Sequence, residues 1–465
     1  MLFASAAFMF LFLPVSLAAF YLTPQRYRRS LLLVISAVFY MLANLNAPLS
    51  IVILLALSIA TYFAGRFAAR TSFKYVGIIA GAVAITLFFV FRVLDDRGEL
   101  FSFPLGGAIW LLSCVSYVID IARRDAEPAR IDDTLLYIMF FPVMAAGPVI
   151  KYKDFVKYID SMHYNVNEFA SGVKLFAVGV IERLAIAAVM LEAYELIIET
   201  SDRAPDIGFG MFAAVAVFLA AYFAFAGWAD MGVGIARMFG ISLPRDVSGA
   251  LWAYSPARYF SRIFVGLGDW LDDYIVSPLL RVTSLSRRKV GSAIASSLTV
   301  VLIALWVRFS LTMLIMALIV AAIMFILSVS GAEQLLKDSK LLRPIGFFLT
   351  FLLMSIFWTA GLSASLGDFT SLINAVSSSV DDYHIYYVYI VMSGGEYIVT
   401  AIAALLFSPL ICCGDAILNK LPQRLRPIAE CVGTLLLLAR FVFTLVYYMP
   451  QYPQSAMQAF KYFVF

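Results

Sequence analysis

Long apolar segments separated by short polar ones make up most of this chain. Most of the segments approach or exceed the length of about 20 residues with which a helix crosses a bilayer. The apolar segments lie at about 1–22, 31–43, 49–64, 76–91, 103–121, 135–150, 169–197, 209–226, 290–307, 309–329, 344–360, 385–413 and 432–449. This pattern predicts an all-α polytopic membrane protein with about 10 to 12 transmembrane helices.

Three polar stretches interrupt the apolar rhythm, at 141–163, 227–289 and 361–384. In the first, Pro142 and Pro148 break an apolar run just before a cluster of lysines. Irregular backbone at membrane depth is tolerated only where protein or a water-filled cavity satisfies its polar groups. We therefore expect a re-entrant turn there, followed by a helix at the membrane interface.

The organisation along the chain predicts one membrane domain, 1–465, with no soluble domain. Neither a low-complexity tail nor an internal repeat is apparent. Within the domain we expect N-terminal transmembrane helices in 1–134, a core in 135–330 and C-terminal transmembrane helices in 331–465.

Composition excludes an ordinary soluble globule. Hydrophobic residues make up 63% of the chain and charged residues 14%, against about 45 to 50% and about 25% in soluble domains. The net charge of +4 is dispersed, so no nucleic-acid-binding stripe is indicated. His163 and His384 lie apart and the cysteines form no C-x-x-C pair, and we therefore expect no metal site.

The charges of the first loops alternate along the chain. Loops 23–30, 65–75 and 122–130 are weighted toward arginine and lysine, whereas 92–102 is weighted toward acids. By the positive-inside rule, the basic loops are cytoplasmic and the N-terminus is outside.

Ionisable residues within membrane segments are costly and are candidates for function. Asp230 follows the apolar run 209–226, and Arg237 stands two helical turns later. An ion pair or a helix cap explains these two residues as well as a substrate contact does.

A second polar group lies at 262–274. Arg262, Asp269 and Asp273 share a helical face beside Trp270 and Tyr274. They are predicted either to line a polar channel for a charged substrate or to form the solvated face of an interfacial helix.

Five ordered segments resemble the membrane-bound O-acyltransferases, in the bacterial branch that modifies alginate and teichoic acid. The segments are FPLGGAIWLLSCVSYVIDIARRD, FFPVMAAGPVIKY, FAFAGWADMGVGIARMFGISLP, SPARYFSRIFVGLGDWLDDYIVSPL and ALWVRFS. The last three match the family patterns F-x-x-Y-S-D-M-A-x-G-x-x-R-M-F-G, W-H-x-S-x-x-x-W-x-R-D-Y-x-x-x-P-L and L-W-H-G in order and spacing. The resemblance runs nearly end to end.

The resemblance implies a helical ring around a tunnel in the bacterial cytoplasmic membrane. It also implies transfer of an acyl group to a hydroxyl of a cell-envelope polymer, from acyl-coenzyme A or an acyl-carrier thioester. No resident cofactor is expected. The candidate substrate-binding residues of the chain are Arg237, Arg262, Trp270, Tyr274, Trp306 and Arg308.

The sequence departs from the family at its catalytic position. Val307 stands where the resemblance places the histidine of L-W-H-G, and Phe264 stands where it places the upstream histidine. Valine cannot accept a proton, whereas histidine suits general-base catalysis because its pKa of about 6.5 lies near neutral pH. Arg308 remains protonated and cannot replace the base. It is predicted either to bind an anionic group or to pair with Asp269.

Three functions follow from this departure. The first hypothesis is a catalytically degenerate subunit, a pseudoenzyme, that works with an extracytoplasmic acyltransferase or an active member of the family. The second is an active acyltransferase with a displaced base at Asp230, Asp269 or Asp273. The third is a transporter of a lipid or an anionic substrate. In each case, membrane lipids and, for the acyl-transfer roles, an envelope polymer are the expected partners.

Overall fold

The computed structural model describes most of the chain. The described residues are 3–45, 48–71, 106–144, 147–201, 207–282, 289–363, 396–406 and 422–452 without 424, together with isolated positions at 79–86 and 366–370. All regular secondary structure in these ranges is helical. The prediction of an all-α membrane protein is therefore confirmed.

The helices before residue 240 are numbered α1 to α9 along the chain. Their bounds are α1 Leu13–Leu22, α2 Arg28–Ala43, α3 Pro48–Arg70, α4 Gly107–Arg123, α5 Ile131–Ile138, α6 Tyr152–Asp160, α7 Val166–Ile181, α8 Ala188–Ser201 and α9 Ile207–Met238. A π-helical segment, Ala7–Phe12, precedes α1, and another, Glu182–Ala187, joins α7 to α8.

The later helices are numbered α10 to α18. Their bounds are α10 Pro256–Ile263, α11 Val265–Leu271, α12 Ser277–Val282, α13 Lys289–Val307, α14 Leu311–Ser330, α15 Ala332–Asp338, α16 Leu342–Leu362, α17 Glu396–Leu406 and α18 Arg426–Phe443. The π-helical segment Asp272–Val276 connects α11 to α12 without a break, which gives a continuous helical run.

Six helical segments in the described ranges are long and apolar enough to cross a membrane. They are Ile51–Arg70, Gly210–Met238, Val290–Val307, Leu311–Ser330, Leu342–Leu362 and Arg426–Gln451. Two shorter apolar helices, Ala7–Leu22 and Glu396–Leu406, accompany them. The predicted segment 76–91 and most of 385–413 lie outside the described residues, so the count of about 10 to 12 helices stays a prediction.

One predicted boundary was wrong. The sequence pattern ended an apolar helix at 226 and began a polar stretch at 227, but α9 continues to Met238. Trp228 and Asp230 are buried in this continuation. The carboxylate of Asp230 is satisfied by Arg245 rather than by water, so this charge does not interrupt the helix.

The chain divides into two compact units. Unit 1 comprises Met1–Phe176 and Trp228–Arg245, and unit 2 comprises Ala177–Gly227 and Asp246–Phe463. In unit 1, α2 packs against α5, and α3 packs against α4 and α5. Its core is rich in aromatic rings, with Phe39 contacting the rings of Phe3, Phe8 and Phe141 at 5.4 to 5.7 Å.

Glycines allow α9 to approach its neighbours in unit 1 at backbone distance. A Cβ atom on Gly234 would lie 2.7 Å from the carbonyl oxygen of Gly172 on α7, and the reverse substitution gives the same distance. A Cβ atom on Gly232 would lie 2.4 Å from the carbonyl oxygen of Pro142. Close packing through small residues is typical of membrane helices, where lipid offers no hydrophobic drive for association.

The predicted break in 141–163 and the helix that follows it are both present. A helical turn, Phe141–Met144, precedes an extended segment with a cis peptide bond at Gly147–Pro148, and α6 follows. Two side chains of α4 hold the start of α6: Ser116 Oγ accepts the N–H of Tyr152 at 3.0 Å, and Asp120 Oδ2 accepts the N–H of Lys153 at 2.9 Å.

Two ion pairs join predicted cytoplasmic segments to α6. Arg29 contacts Asp160 at 2.8 Å, and Lys153 contacts Asp125 at 3.6 Å. The segments 23–30 and 122–130 therefore meet at the same helix, as expected if both lie on one side of the membrane. Which side they occupy stays a prediction.

Replacing Asp120 with alanine is expected to lower the free energy of unfolding by about 1 to 2 kcal/mol. The side chain is fully buried and accepts the N–H of Lys153 in the first turn of α6, and alanine removes this capping hydrogen bond. Titration with sodium dodecyl sulfate in mixed micelles measures the loss. Asp154→Ala is the control, because Asp154 forms a surface pair with Lys157 worth at most about 1 kcal/mol. Equal losses in the two variants would contradict the capping role.

In unit 2, α13 and α14 form a helical hairpin and α16 packs against α14. The short helix α10 is fixed against α16, because Tyr259 Oη accepts a hydrogen bond from Trp358 Nε1 at 2.9 Å. Both of these side chains are fully buried. The α11–α12 run lies along α13, which places the segments that carry the candidate site in one packed group.

Candidate functional site

Asp230, one of the predicted site residues, forms a buried ion pair in unit 1. Its carboxylate is 1% exposed and both of its oxygens bind Arg245, one at Nε at 3.0 Å and the other at Nη2. Arg237 instead donates to Ser171 Oγ on α7 at 3.0 Å. Arg237 is the neighbour of Asp230 predicted from the sequence, but the carboxylate binds Arg245 instead. This geometry fits a structural pair.

Asp246 is a buried carboxyl group in unit 2 that the sequence analysis did not single out. Its Oδ1 accepts the N–H of Gly266 at 2.6 Å, and its backbone carbonyl accepts the N–H of Val265 at 3.3 Å. The next turn of chain is held by Ser248, whose N–H donates to the carbonyl of Arg262 at 2.9 Å. Asp246 is thus fixed to the junction between α10 and α11.

Burial raises the pKa of the Asp246 carboxyl from its ordinary value of 3.8 to about 7. The hydrogen bond from Gly266 lowers the pKa because it favours the charged form, and the negative charge of Asp269 raises it. The net result is an acid that titrates near neutral pH.

Phe264 separates α10 from α11 and is 5% exposed. Its ring lies 4.8 Å from that of Phe225 at an angle of 74°, an edge-to-face contact that stabilises aromatic pairs. Phe225 in turn lies 5.4 Å from Trp358. The position at which the resemblance expects a histidine is therefore part of an aromatic cluster.

Val307 is the last residue of α13 and is fully buried. The α11–α12 run contacts α13 along its length, and six residues, 283–288, separate the two helices in sequence. Helices joined by so short a connection pack antiparallel. The end of α13 is thus at the level of α11, which begins next to Phe264.

Arg308 begins the short connection between α13 and α14. Its Nη1 donates to the carbonyl oxygen of Gly361, near the end of α16, at 2.6 Å. Ser310 closes the connection by accepting the N–H of Met313 at the start of α14. The predicted pairing of Arg308 with Asp269 stays a prediction.

Trp270 and Tyr274 occupy successive turns of the α11–α12 run. Their rings lie 5.0 Å apart at 65°, and both side chains are buried. Across the described part of the chain, Trp270 Nε1 has no hydrogen-bond acceptor. A buried donor without an acceptor costs about 1 to 3 kcal/mol, so this indole is suited to an oxygen of a bound molecule.

The remaining predicted site residues are more accessible. Asp269 is exposed, whereas Arg262, Asp273, Trp306 and Arg308 are half-buried. The exposure of Asp269 fits a solvated helix face better than a closed channel. Within the described ranges, histidine, cysteine and acidic side chains form no group of three that could hold a metal ion.

Sequence reasoning missed two further buried ionisable residues, Glu182 and Arg183. Both lie in the π-helical segment between α7 and α8 and are at most 2% exposed. They are adjacent charges inside the apolar run 169–197, and that signal was available. Asp246 gave no such signal, because its hydrogen bond reaches twenty residues along the chain.

Comparisons with known proteins agree with the resemblance. Residues 32–366 match the family model described as MBOAT, membrane-bound O-acyltransferase family. The chain is 27% identical over 394 residues to a protein of Azotobacter vinelandii named "Probable alginate O-acetylase AlgI", covering 77% of this chain and 74% of that protein.

Two less similar relatives carry names that refer to other polymers. The peptidoglycan O-acetyltransferase of Helicobacter pylori is 25% identical over 152 residues, covering 32% of this chain and 28% of that protein. The teichoic acid D-alanyltransferase of Lacticaseibacillus rhamnosus is 21% identical over 218 residues, covering 44% and 53%.

Proposed function

The chain belongs to the membrane-bound O-acyltransferase family, and from this premise we propose that it transfers an acyl group to a hydroxyl of a cell-envelope polymer without a catalytic histidine. The acyl donor is a thioester of coenzyme A or of a carrier protein, which acts as a substrate rather than as a resident cofactor. The acceptor is a polysaccharide or a teichoic-acid-like polymer, the substrate class named in the relatives.

One observation carries the proposal. The segments that match the family's central motifs lie on elements that pack together in unit 2, because the α11–α12 run contacts α13, the helix that ends at Val307. Acyl transfer depends mainly on holding donor and acceptor in the correct geometry, and proximity alone supplies several kcal/mol of the barrier reduction. We infer that this packing of the motif segments holds the donor and the acceptor against each other.

The indole of Trp270 gives the region a specific polar function. Its N–H is buried and lacks an acceptor in the described part of the chain. A thioester carbonyl oxygen gains negative charge as the hydroxyl attacks, and a donor aimed at that oxygen stabilises the transition state. We assign Trp270 as a donor to the substrate carbonyl, with Tyr274 packed against its ring.

Partners and placement follow from the same proposal. We place the protein in the bacterial cytoplasmic membrane with the N-terminus outside. Its proposed protein partner is an extracytoplasmic acyltransferase. A protease-accessible tag at residue 1 tests the orientation: cleavage in intact spheroplasts is expected, and cleavage only in inverted vesicles would contradict it.

Val307→His tests whether the family's histidine mechanism can be restored. Native protein in proteoliposomes is expected to transfer the label of acetyl-coenzyme A to alginate oligosaccharides, peptidoglycan fragments or lipoteichoic acid. Because another group already takes the hydroxyl proton in a protein that turns over, the variant is expected to gain less than the roughly 10²- to 10⁴-fold that a positioned base contributes where none is present. Val307→Gln is the control, since glutamine is polar and of similar length but cannot titrate.

A degenerate subunit is the second candidate, and the burial of Val307 and Phe264 favours it. Apolar packing fills both positions at which the family is expected to hold a base. This role predicts no turnover by native protein with any of the three acceptors, and co-purification of an active acyltransferase from the native host in mild detergent. Turnover by native protein that copurifies with no other acyltransferase would exclude it.

A further inference from the structure

Transfer to a hydroxyl releases a proton, and the residue that accepts it is not a histidine at either family position. The two histidines of the chain, His163 and His384, are remote in sequence from both positions. His163 is exposed and contacts the carbonyl of Ser161 at 2.8 Å in unit 1. A proton acceptor is therefore to be sought among other groups fixed beside Phe264 and α11.

Asp246 is the carboxyl group that meets this requirement. Its Oδ1 is fixed by the N–H of Gly266, two residues after Phe264. The described residues give its Oδ2 no donor. A buried carboxylate with one oxygen anchored and the other available has the preorganised geometry of a general base.

We propose that Asp246 is the catalytic base of this protein, in place of the histidine that Val307 and Phe264 have displaced. The inference rests on the acyl-transfer function proposed above, and it assigns a residue outside the family motifs by position in the structure. Gly266 is the positioning group, because its N–H fixes the orientation of the carboxylate.

The reaction balances with a thioester donor and a hydroxyl acceptor. The hydroxyl oxygen forms a bond to the thioester carbonyl carbon, and its proton passes to Asp246 Oδ2. The bond between carbon and sulfur then breaks with its electron pair on sulfur. The leaving thiolate takes the proton from Asp246, which returns the carboxylate to its starting state.

The environment adjusts the basicity of Asp246 to this task. An exposed aspartate is a weak base because its pKa is near 3.9, whereas burial raises the pKa of Asp246 to about 7. Among the charged groups on the packed helices, Asp269 on α11 raises the pKa of Asp246 further through its negative charge. Arg262, at the end of α10, contacts the chain just after Asp246 through its backbone carbonyl, which accepts the N–H of Ser248.

The other candidate acids of the chain are less suited to the role. Both oxygens of Asp230 bind Arg245, and protonation of that carboxylate would break a buried ion pair. Asp269 is exposed, so its carboxylate is less enclosed by protein than that of Asp246. Asp273 lies a full turn further along the α11–α12 run, away from the junction at Phe264.

Asp246→Asn is the test variant, because asparagine keeps an oxygen for the N–H of Gly266 but cannot accept a proton. We expect kcat to fall by about 10²- to 10⁴-fold with KM for acetyl-coenzyme A unchanged. Asp272→Asn is the matched control: Asp272 is an exposed acid on the same helical run that accepts from Ser277. This control is expected to keep the native rate.

The pH profile gives a second readout that a structural cap would not move. Native kcat is expected to rise with pH and to level off above about pH 7, because the base must lose its proton first. Asp269→Asn removes a negative charge near Asp246 and is expected to shift the rise to lower pH. Asp246→Asn is expected to abolish the rise.

Stability provides an independent check of the same group. In the folded protein, Asp246 holds its proton up to about pH 7. In the unfolded chain, the same carboxyl has its ordinary pKa of 3.8 and releases the proton at lower pH. The free energy of unfolding should therefore fall as the pH rises between these values and be level above them. In Asp246→Asn this part of the fall should be absent.

The outcomes separate the two proposals. No turnover by native protein would overturn the acyl-transfer function and the role of Asp246 together. Turnover that Asp246→Asn leaves unchanged, in a variant that remains monodisperse, would overturn only the assignment of the base. Turnover lost in the folded variant, with the pH step lost as well, supports both.

Discussion

Arg245→Ala is expected to destabilise the protein by about 3 to 5 kcal/mol, the loss typical of a buried ion pair that keeps only one partner. Asp230 is 1% exposed and receives two hydrogen bonds from Arg245, whose side chain is 29% exposed. Alanine would leave a buried carboxylate facing the space that the guanidinium occupied. Thermal unfolding in detergent and the yield of monodisperse protein measure the effect.

The double variant Asp230→Asn with Arg245→Ala separates the charge from the packing. With no buried charge to neutralise, the double variant is expected to recover about 2 kcal/mol relative to Arg245→Ala alone. Additive losses in the two single variants would show that Asp230 and Arg245 act independently, contrary to the contact in the structure.

Gly232→Ala is expected to prevent stable folding of unit 1. The new Cβ would lie 2.4 Å from the carbonyl oxygen of Pro142 and 3.0 Å from that of Gly147. Both are backbone atoms, so no side-chain rotation relieves the overlap. Overpacking costs about 1 to 3 kcal/mol where side chains yield and more where backbone must move.

Gly433→Ala is the matched control for this substitution. Gly433 lies within α18, and nothing lies within 4 Å of a Cβ placed there. Alanine favours a helix over glycine by about 1 kcal/mol, so this variant is expected to be as stable as the native protein or more so. Size-exclusion profiles of both variants in the same detergent compare them, and a monodisperse Gly232→Ala protein would contradict the close contact.

The sequence predicted several helices well because lipid-facing segments differ sharply in composition from the polar connections. The predicted 309–329 and 344–360 correspond to α14 and α16 within two residues at each end. The end of α9 was missed for the opposite reason. Polar residues inside a protein-packed helix resemble a loop in sequence, and only their partners reveal that they are buried.

The residues of the candidate site also divide into those that the sequence predicts and those that it does not. Local motifs identified Val307, Phe264 and Trp270, because each belongs to a pattern contained within a few residues of chain. Arg245 and Asp246 have their partners fifteen and twenty residues away. Hydrogen bonds at such separations follow from tertiary packing and leave no periodic signal in the sequence.

The length of α9 has a consequence for membrane insertion. Its 32 residues extend about 48 Å at 1.5 Å per residue, well beyond a hydrocarbon core of about 30 Å. If the apolar first part spans the core, Asp230 lies about 35 Å along the axis, at headgroup depth. A charge there escapes the cost of about 2.5 to 3.5 kcal/mol that the insertion machinery meets for a charged residue at a helix centre. The helix can thus enter the bilayer whether or not Asp230 has already paired with Arg245.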